Sequence, residues 1–205
     1  LSSRARPSAR QRREAARLRK QRQQRLIYAG VIVVVAVLVV VIAIAAGSSK
    51  KTNVTSNGPL LAPAGAGSPT GAPIDGITCG AMEQLAYHIH AHLAVFVNGQ
   101  PKTIPATIGF TNSCLYWLHS HTPDGVIHIE SPVQHIYTLG NYFDVWGQPL
   151  SSTQVGPVTG PVTAYLNGQR YSGDPRQIPL EAHNNIQLDV GTAVAPESFT
   201  FPSGL

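Results

Sequence analysis

The sequence predicts an all-β or β-dominated extracytoplasmic domain, a small sandwich or barrel with hairpins, preceded by one transmembrane helix. Three observations carry this. An uncharged apolar run fills residues 26–46, and short alternating runs separated by turn residues begin at about Ile74. A charged fraction of only 12%, with 19 Gly and 16 Pro, excludes a coiled coil or a long helical bundle.

Residues 1–25 form a basic tail, expected in the cytoplasm. Ten of the 15 Lys and Arg residues lie there, from Arg4 to Arg25, with Glu14 as the single acid among them. From Thr52 onward the basic residues are Lys102, Arg170 and Arg176 against nine acids, a formal charge of −6. The net +5 of the whole chain therefore describes the tail, and a basic nucleic-acid-binding domain is excluded. A helix of the tail could lie on anionic headgroups, or the charge could serve only as a topology signal.

Leu26 to Ala46 (LIYAGVIVVVAVLVVVIAIAA) is 21 residues. At about 1.5 Å rise per residue it spans roughly 31 Å, the thickness of a hydrocarbon core. Lipid forces such a backbone to satisfy itself internally, which offsets the poor helix propensity of Val in water. The basic residues before it place the N-terminus inside and everything after Gly47 outside. Ala43-Ile44-Ala45 resembles a signal-peptide cleavage site, but the apolar core exceeds the usual length, which favours an uncleaved anchor.

Residues 47–73 are rich in Gly, Ser, Ala and Pro, have no hydrophobic period and read as a flexible tether. The β domain is expected over 74–205. Its candidate strands are Tyr87–Val97, Lys102–Ile108, Leu115–His121, Val126–Glu130, His135–Leu139, Val162–Leu166, Arg170–Ser172 and Asn185–Val190. Cys79–Leu85 could form one helical turn. Asn98-Gly99 and Asn167-Gly168 follow similar strands, and Asn-Gly admits the positive φ angles of a type I′ turn, so each predicts a β-hairpin. Shared turn chemistry explains this likeness better than duplication, because so few positions agree.

Cys79 and Cys114 are the only cysteines. Outside the membrane their even number favours a disulfide, with a thiolate metal ligand as the rival reading. All eight histidines lie in the outer domain. In Tyr87-His88-Ile89-His90-Ala91-His92-Leu93 the His alternate with apolar residues, so His88, His90 and His92 share one strand face while the apolar residues face the core. His119-Ser120-His121 and His128-Ile129-Glu130 repeat the pattern on two further strands. Strands lie about 4.8 Å apart, so imidazoles from neighbours can converge on one ion.

Neutral imidazole suits Zn²⁺ or Cu²⁺, and copper or zinc is the expected cofactor. Cu⁺ would want thioether or thiolate, and Met82 is the only methionine. The candidate ligands are His88, His90, His92, His119, His121 and His128. Glu130 and Asp124 could orient a ligating ring or act as a base. His135 and His183 stand alone and read as surface or hydrogen-bonded residues. No G-x-S-x-G elbow, Gly-rich phosphate loop, HExxH helix or EF-hand is present.

The run HIHAHLAVFVNGQ, then IPATIGF, LHSHTPDGVIHIESP and YTLGNYFDVWG, resembles a group of membrane-anchored extracytoplasmic His-motif proteins of bacteria and archaea with no established activity. The resemblance covers residues from about 85 to 147. It implies that these His motifs travel together and share a site, without naming the ion.

Three functional readings follow. The first is a metal-binding module on the outer face of a cytoplasmic membrane, capturing or delivering copper or zinc or serving as an accessory subunit of a membrane metalloenzyme. The second is a three-His zinc enzyme that activates water, with Glu130 or Asp124 as base. The third is a structural subunit docking on a larger membrane complex through Trp117, Tyr142, Phe143 and Trp146, although such aromatics are more often core.

Overall fold

The longest strands form where hydrophobic and polar residues alternate, and the apolar positions of those strands meet in one core. A computed structural model of the protein describes residues 58–205. The expected basic tail, the membrane helix over 26–46 and the first part of the tether lie outside the described residues. Among the described residues no helix is long and apolar enough to cross a membrane.

In chain order the strands are β1 (Cys79–Gly80), β2 (Tyr87–Val97), β3 (Gln100–Lys102), β4 (Leu115–Tyr116), β5 (Leu118–His119), β6 (Val126–Ser131) and β7 (Tyr137–Thr138). Helix α1 (Leu139–Trp146) follows, then β8 (Leu150–Ser151), β9 (Gln154–Val155), β10 (Val158–Thr159), β11 (Val162–Leu166) and β12 (Gln169–Tyr171). A 3₁₀ turn (Pro175–Gln177), β13 (Pro179–Leu180) and β14 (Asn185–Val190) complete the set. The domain is β-dominated, as expected. Its main sheet has seven strands in the order β12-β11-β14-β2-β6-β5, with β3 also paired to β2. The pair β14–β2 is parallel and its neighbours are antiparallel.

Alternation divides the main sheet into two faces. On one, Ala91, Leu93 and Val95 of β2, Ile127 and Ile129 of β6, and Ile186 and Leu188 of β14 are buried in the core with Leu139, Tyr142, Phe143 and Trp146 of α1. On the other, His88, His90 and His92 of β2 stand beside His128 and Glu130 of β6. Further along that face, β14 carries Asn185, Gln187 and Asp189, and the C-terminal segment covers them. Val194 N donates to Asp189 Oδ2, Glu197 N donates to Gln187 Oε1, and Asn185 Nδ2 donates to the Glu197 carbonyl. These bonds let a strand with polar residues lie buried on both faces.

Both Asn-Gly hairpins form as expected, β2–β3 through Asn98 (φ 49°) and Gly99 (φ 78°), and β11–β12 through Asn167 (φ 51°) and Gly168 (φ 79°). Cys79 and Cys114 are joined in a disulfide, so the thiolate-ligand reading falls.

Several expectations are corrected. Residues 58–73 are not tether but part of the folded unit: Leu61 and Ala62 are buried, Leu61 N donates to the Thr103 carbonyl, and Trp146 Nε1 donates to the Pro63 carbonyl. The strand expected over Lys102–Ile108 ends at Lys102. Pro105 lacks an N–H and Thr107 has φ 59°, so this stretch makes only isolated bridges, Thr103 to Leu60 and Ile108 to Gly65. Leu115–His121 splits into β4 and β5, which pair with different partners, and His121 lies beyond the strand. Cys79–Leu85 forms no helical turn, because Cys79 and Gly80 pair with Tyr116 and Leu115.

The strand expected over His135–Leu139 keeps only Tyr137–Thr138, and Leu139 opens α1. Its apolar residues Leu139, Tyr142, Phe143 and Trp146 follow helical, not strand, spacing. Thr138 and Asn141 close a capping box, and Gly147 ends the helix at φ 74°. Tyr142, Phe143 and Trp146 are thereby buried in the core, which removes them from any docking face.

Candidate metal centre

Strand register assembles the site. In the antiparallel pairing of β2 with β6, His90 faces His128 and His88 faces Glu130. In the pairing of β5 with β6, His119 faces the same His128. A row of imidazoles thus crosses three adjacent strands, with His128 in the middle. His121 joins from just past β5. Ser120, between His119 and His121, turns the other way into the core. Its hydroxyl donates to the Val126 carbonyl (2.7 Å) and lies 2.8 Å from the Tyr142 hydroxyl. With Ser120 held there, the two flanking rings face the sheet surface.

The donor atoms fall into two sets, His88, His90, His128 and Glu130, and His119, His121, His128 and Glu130. Within each set all of them lie within 4.8 Å of one another. The Nε2 atoms of His88 and His90 are 3.0 Å apart, as are those of His119 and His121. Around an ion with metal–nitrogen bonds of about 2.0–2.1 Å, tetrahedral ligands stand roughly 3.3–3.4 Å apart, so each pair already has nearly the edge length of a coordination sphere. The rings of His90 and His121 both stand edge-on to His128, with centroids 4.5 Å from it.

The electrostatics suit a cation. Burial pushes the His90 imidazole down to about 4, helped by its neighbours His128 and His88. Burial likewise lowers His119 to about 4, against the opposing pull of Glu130. Both rings are therefore neutral at neutral pH and offer lone pairs. His119 Nδ1 donates to the Tyr116 carbonyl (2.8 Å), which fixes its tautomer and turns the Nε2 lone pair toward His121. Burial would raise Glu130, but the hydrogen bond from His128 and the surrounding imidazoles of His119, His88 and His128 outweigh it and hold the carboxyl below its ordinary range. Glu130 is a buried anion whose Oε1 lies 3.2 Å from both His88 Nε2 and His128 Nδ1. Its Oε2 is buried with no hydrogen-bond partner and faces His119 Nε2 at 3.8 Å. Such an orphaned buried carboxylate oxygen calls for a counter-charge.

Of the eight expected residues, six come together: His88, His90, His119, His121, His128 and Glu130. His92 does not. Its Nδ1 lies 2.8 Å from Asn185 Oδ1, its Nε2 3.1 Å from the Asp124 carbonyl, and its ring stacks on Phe199 at 3.7 Å. Both nitrogens are thus turned to oxygens, because at this position β6 offers Val126 opposite His92, not an imidazole, while β14 offers Asn185. Asp124 does not reach the cluster either. Its carboxylate accepts from Val126 N and shapes the turn before β6. His135 and His183 are exposed and lie outside the cluster, as expected.

Two residues were not foreseen. Glu83 Oε1 lies 3.4 Å from His121 Nε2, on a loop that the disulfide ties beside β4. Phe110 packs edge-on against His119 and His121, with centroids 5.6 and 5.5 Å away. Neither belongs to an alternating His run, so the only signal in sequence was the nearness of Glu83 to Cys79. No family model, curated protein or solved structure matches the chain.

Proposed function

We propose that the protein is a membrane-anchored extracytoplasmic metal-binding module for zinc or copper, which captures or delivers the ion. One observation carries the metal reading: Glu130 Oε2 is buried without a partner among imidazoles that burial keeps neutral. A cation there satisfies the carboxylate and takes the ring lone pairs in one step. The ligand set supports zinc or Cu²⁺ over Cu⁺. It is imidazole and carboxylate, both cysteines are in the disulfide, and Met82 is 74% exposed. The disulfide suits an oxidising compartment, and the apolar run over 26–46 with its basic flank supports an anchor with the domain outside.

The test is to express the full chain, purify it from membranes in detergent without chelators, and measure its metal content. Bound zinc or copper, and retention in the membrane fraction after alkaline carbonate, are the expected results. A chain that is metal-free and gives no heat on titration with Zn²⁺ or Cu²⁺ overturns the reading.

A further inference from the structure

We infer that the cluster holds two metal ions, bridged by the carboxylate of Glu130. This rests on the metal-binding reading and adds its stoichiometry. The donors form two sets rather than one, and each set has its own pair of imidazoles at 3.0 Å, His88 with His90 and His119 with His121. Glu130 serves both sets with different atoms. Oε1 faces His88 at 3.2 Å, and Oε2 faces His119 at 3.8 Å. His128 stands between the two pairs, 4.5 Å by ring centroid from His90 and from His121, and supplies one further nitrogen.

A single ion cannot use this arrangement fully, because five imidazoles and a carboxylate exceed the four-coordinate sphere that zinc prefers. Two ions give each imidazole pair its own metal and one carboxylate oxygen, with His128 as a third nitrogen for one of them, and a bridging carboxylate sets them at the separation of about 3.5–4 Å usual for two-metal sites. The outer ligands reach solvent, with His88 36% and His121 37% exposed, so ions can enter at both ends.

Native mass spectrometry and calorimetry of the full chain with Zn²⁺ should count two ions per chain. His88→Ala and His121→Ala, chosen because these are the two most exposed rings of the cluster, should each weaken a different binding step by roughly 10–100-fold and leave the other in place. With Cu²⁺ as the probe, the second equivalent should diminish the isolated Cu²⁺ resonance of the first through spin coupling, and Glu130→Gln should restore it. One Zn²⁺ per chain overturns the inference, whether both variants or only one weaken it, while leaving the metal-binding reading intact. Two Cu²⁺ ions without coupling overturn the bridge. No Zn²⁺ at all sinks the metal-binding reading itself.

Discussion

His128 and Glu130, two residues apart on β6, point to the same side of the sheet and meet there, Nδ1 to Oε1 at 3.2 Å. Register sets the other rings around this pair, since His90 and His119 face His128 from opposite sides. β6 is therefore the middle of the site, and its neighbours supply the flanks.

Glu130→Gln keeps the shape and removes the charge. Affinity for Zn²⁺ is expected to fall by at least about 10-fold, read by competition with a chromophoric chelator. Unchanged affinity would mean that the carboxylate does not touch the ion.

The metal-free protein should be most stable above about pH 6.5. His90 and His119 have folded-state values near 4, below the ordinary 6.5, so the unfolded chain binds protons first as the pH drops. Stability is then lost between about pH 6.5 and pH 4, each ring contributing on the order of 3 kcal/mol. The contributions do not add fully, because both rings lie against His128. Glu130, held below its ordinary range, continues the loss as the pH falls through that range. Urea midpoints of chelator-treated protein at pH 7, 5.5 and 4 check this; a midpoint independent of pH contradicts it.

Reducing the Cys79–Cys114 disulfide opens a loop of 35 residues, which is expected to cost about 3–4 kcal/mol. It also frees the loop that carries Glu83 beside His121. Thermal melts with and without a phosphine reductant should show a lower midpoint for the reduced chain. Identical melts would show that the bridge constrains little.

Ser120→Ala removes the hydroxyl that joins Tyr142 to the Val126 carbonyl. Two buried polar groups lose their shared partner, with an expected cost of about 1–3 kcal/mol in urea denaturation. Zn²⁺ affinity should fall less than for His121→Ala, because both rings remain. A wild-type midpoint would show that water replaces the hydroxyl.

Gly109→Ala tests the backing of His119. Gly109 has φ 79°, and an added Cβ would come within 2.5 Å of the Leu118 carbonyl oxygen and 3.0 Å of His119 Cβ. A destabilisation of about 1–3 kcal/mol is expected, with weaker Zn²⁺ binding, since the backbone under His119 must move. Stability and affinity both matching wild type would place the strain elsewhere.

What could be read along the chain was periodic. Strands β2, β11 and β14 have the expected bounds, the two Asn-Gly turns close the expected hairpins, and His88, His90 and Glu130 lie on the faces that alternation assigned. Helix α1 was missed although its apolar spacing is helical, because Gly140 disfavours a helix interior and the preceding Ile-Tyr-Thr run favours strand locally. The capping box and core burial outweigh that preference.

Tertiary structure alone decided which histidines belong together. Period two puts His88, His90 and His92 on one face but does not say which strand lies beside each, and the neighbour of β2 changes along its length. Where β6 adjoins, His90 meets His128; where β14 adjoins, His92 meets Asn185 and Phe199. Residue order along a strand fixes the direction of a side chain, whereas its company is set by pairing between distant segments, which no local pattern encodes.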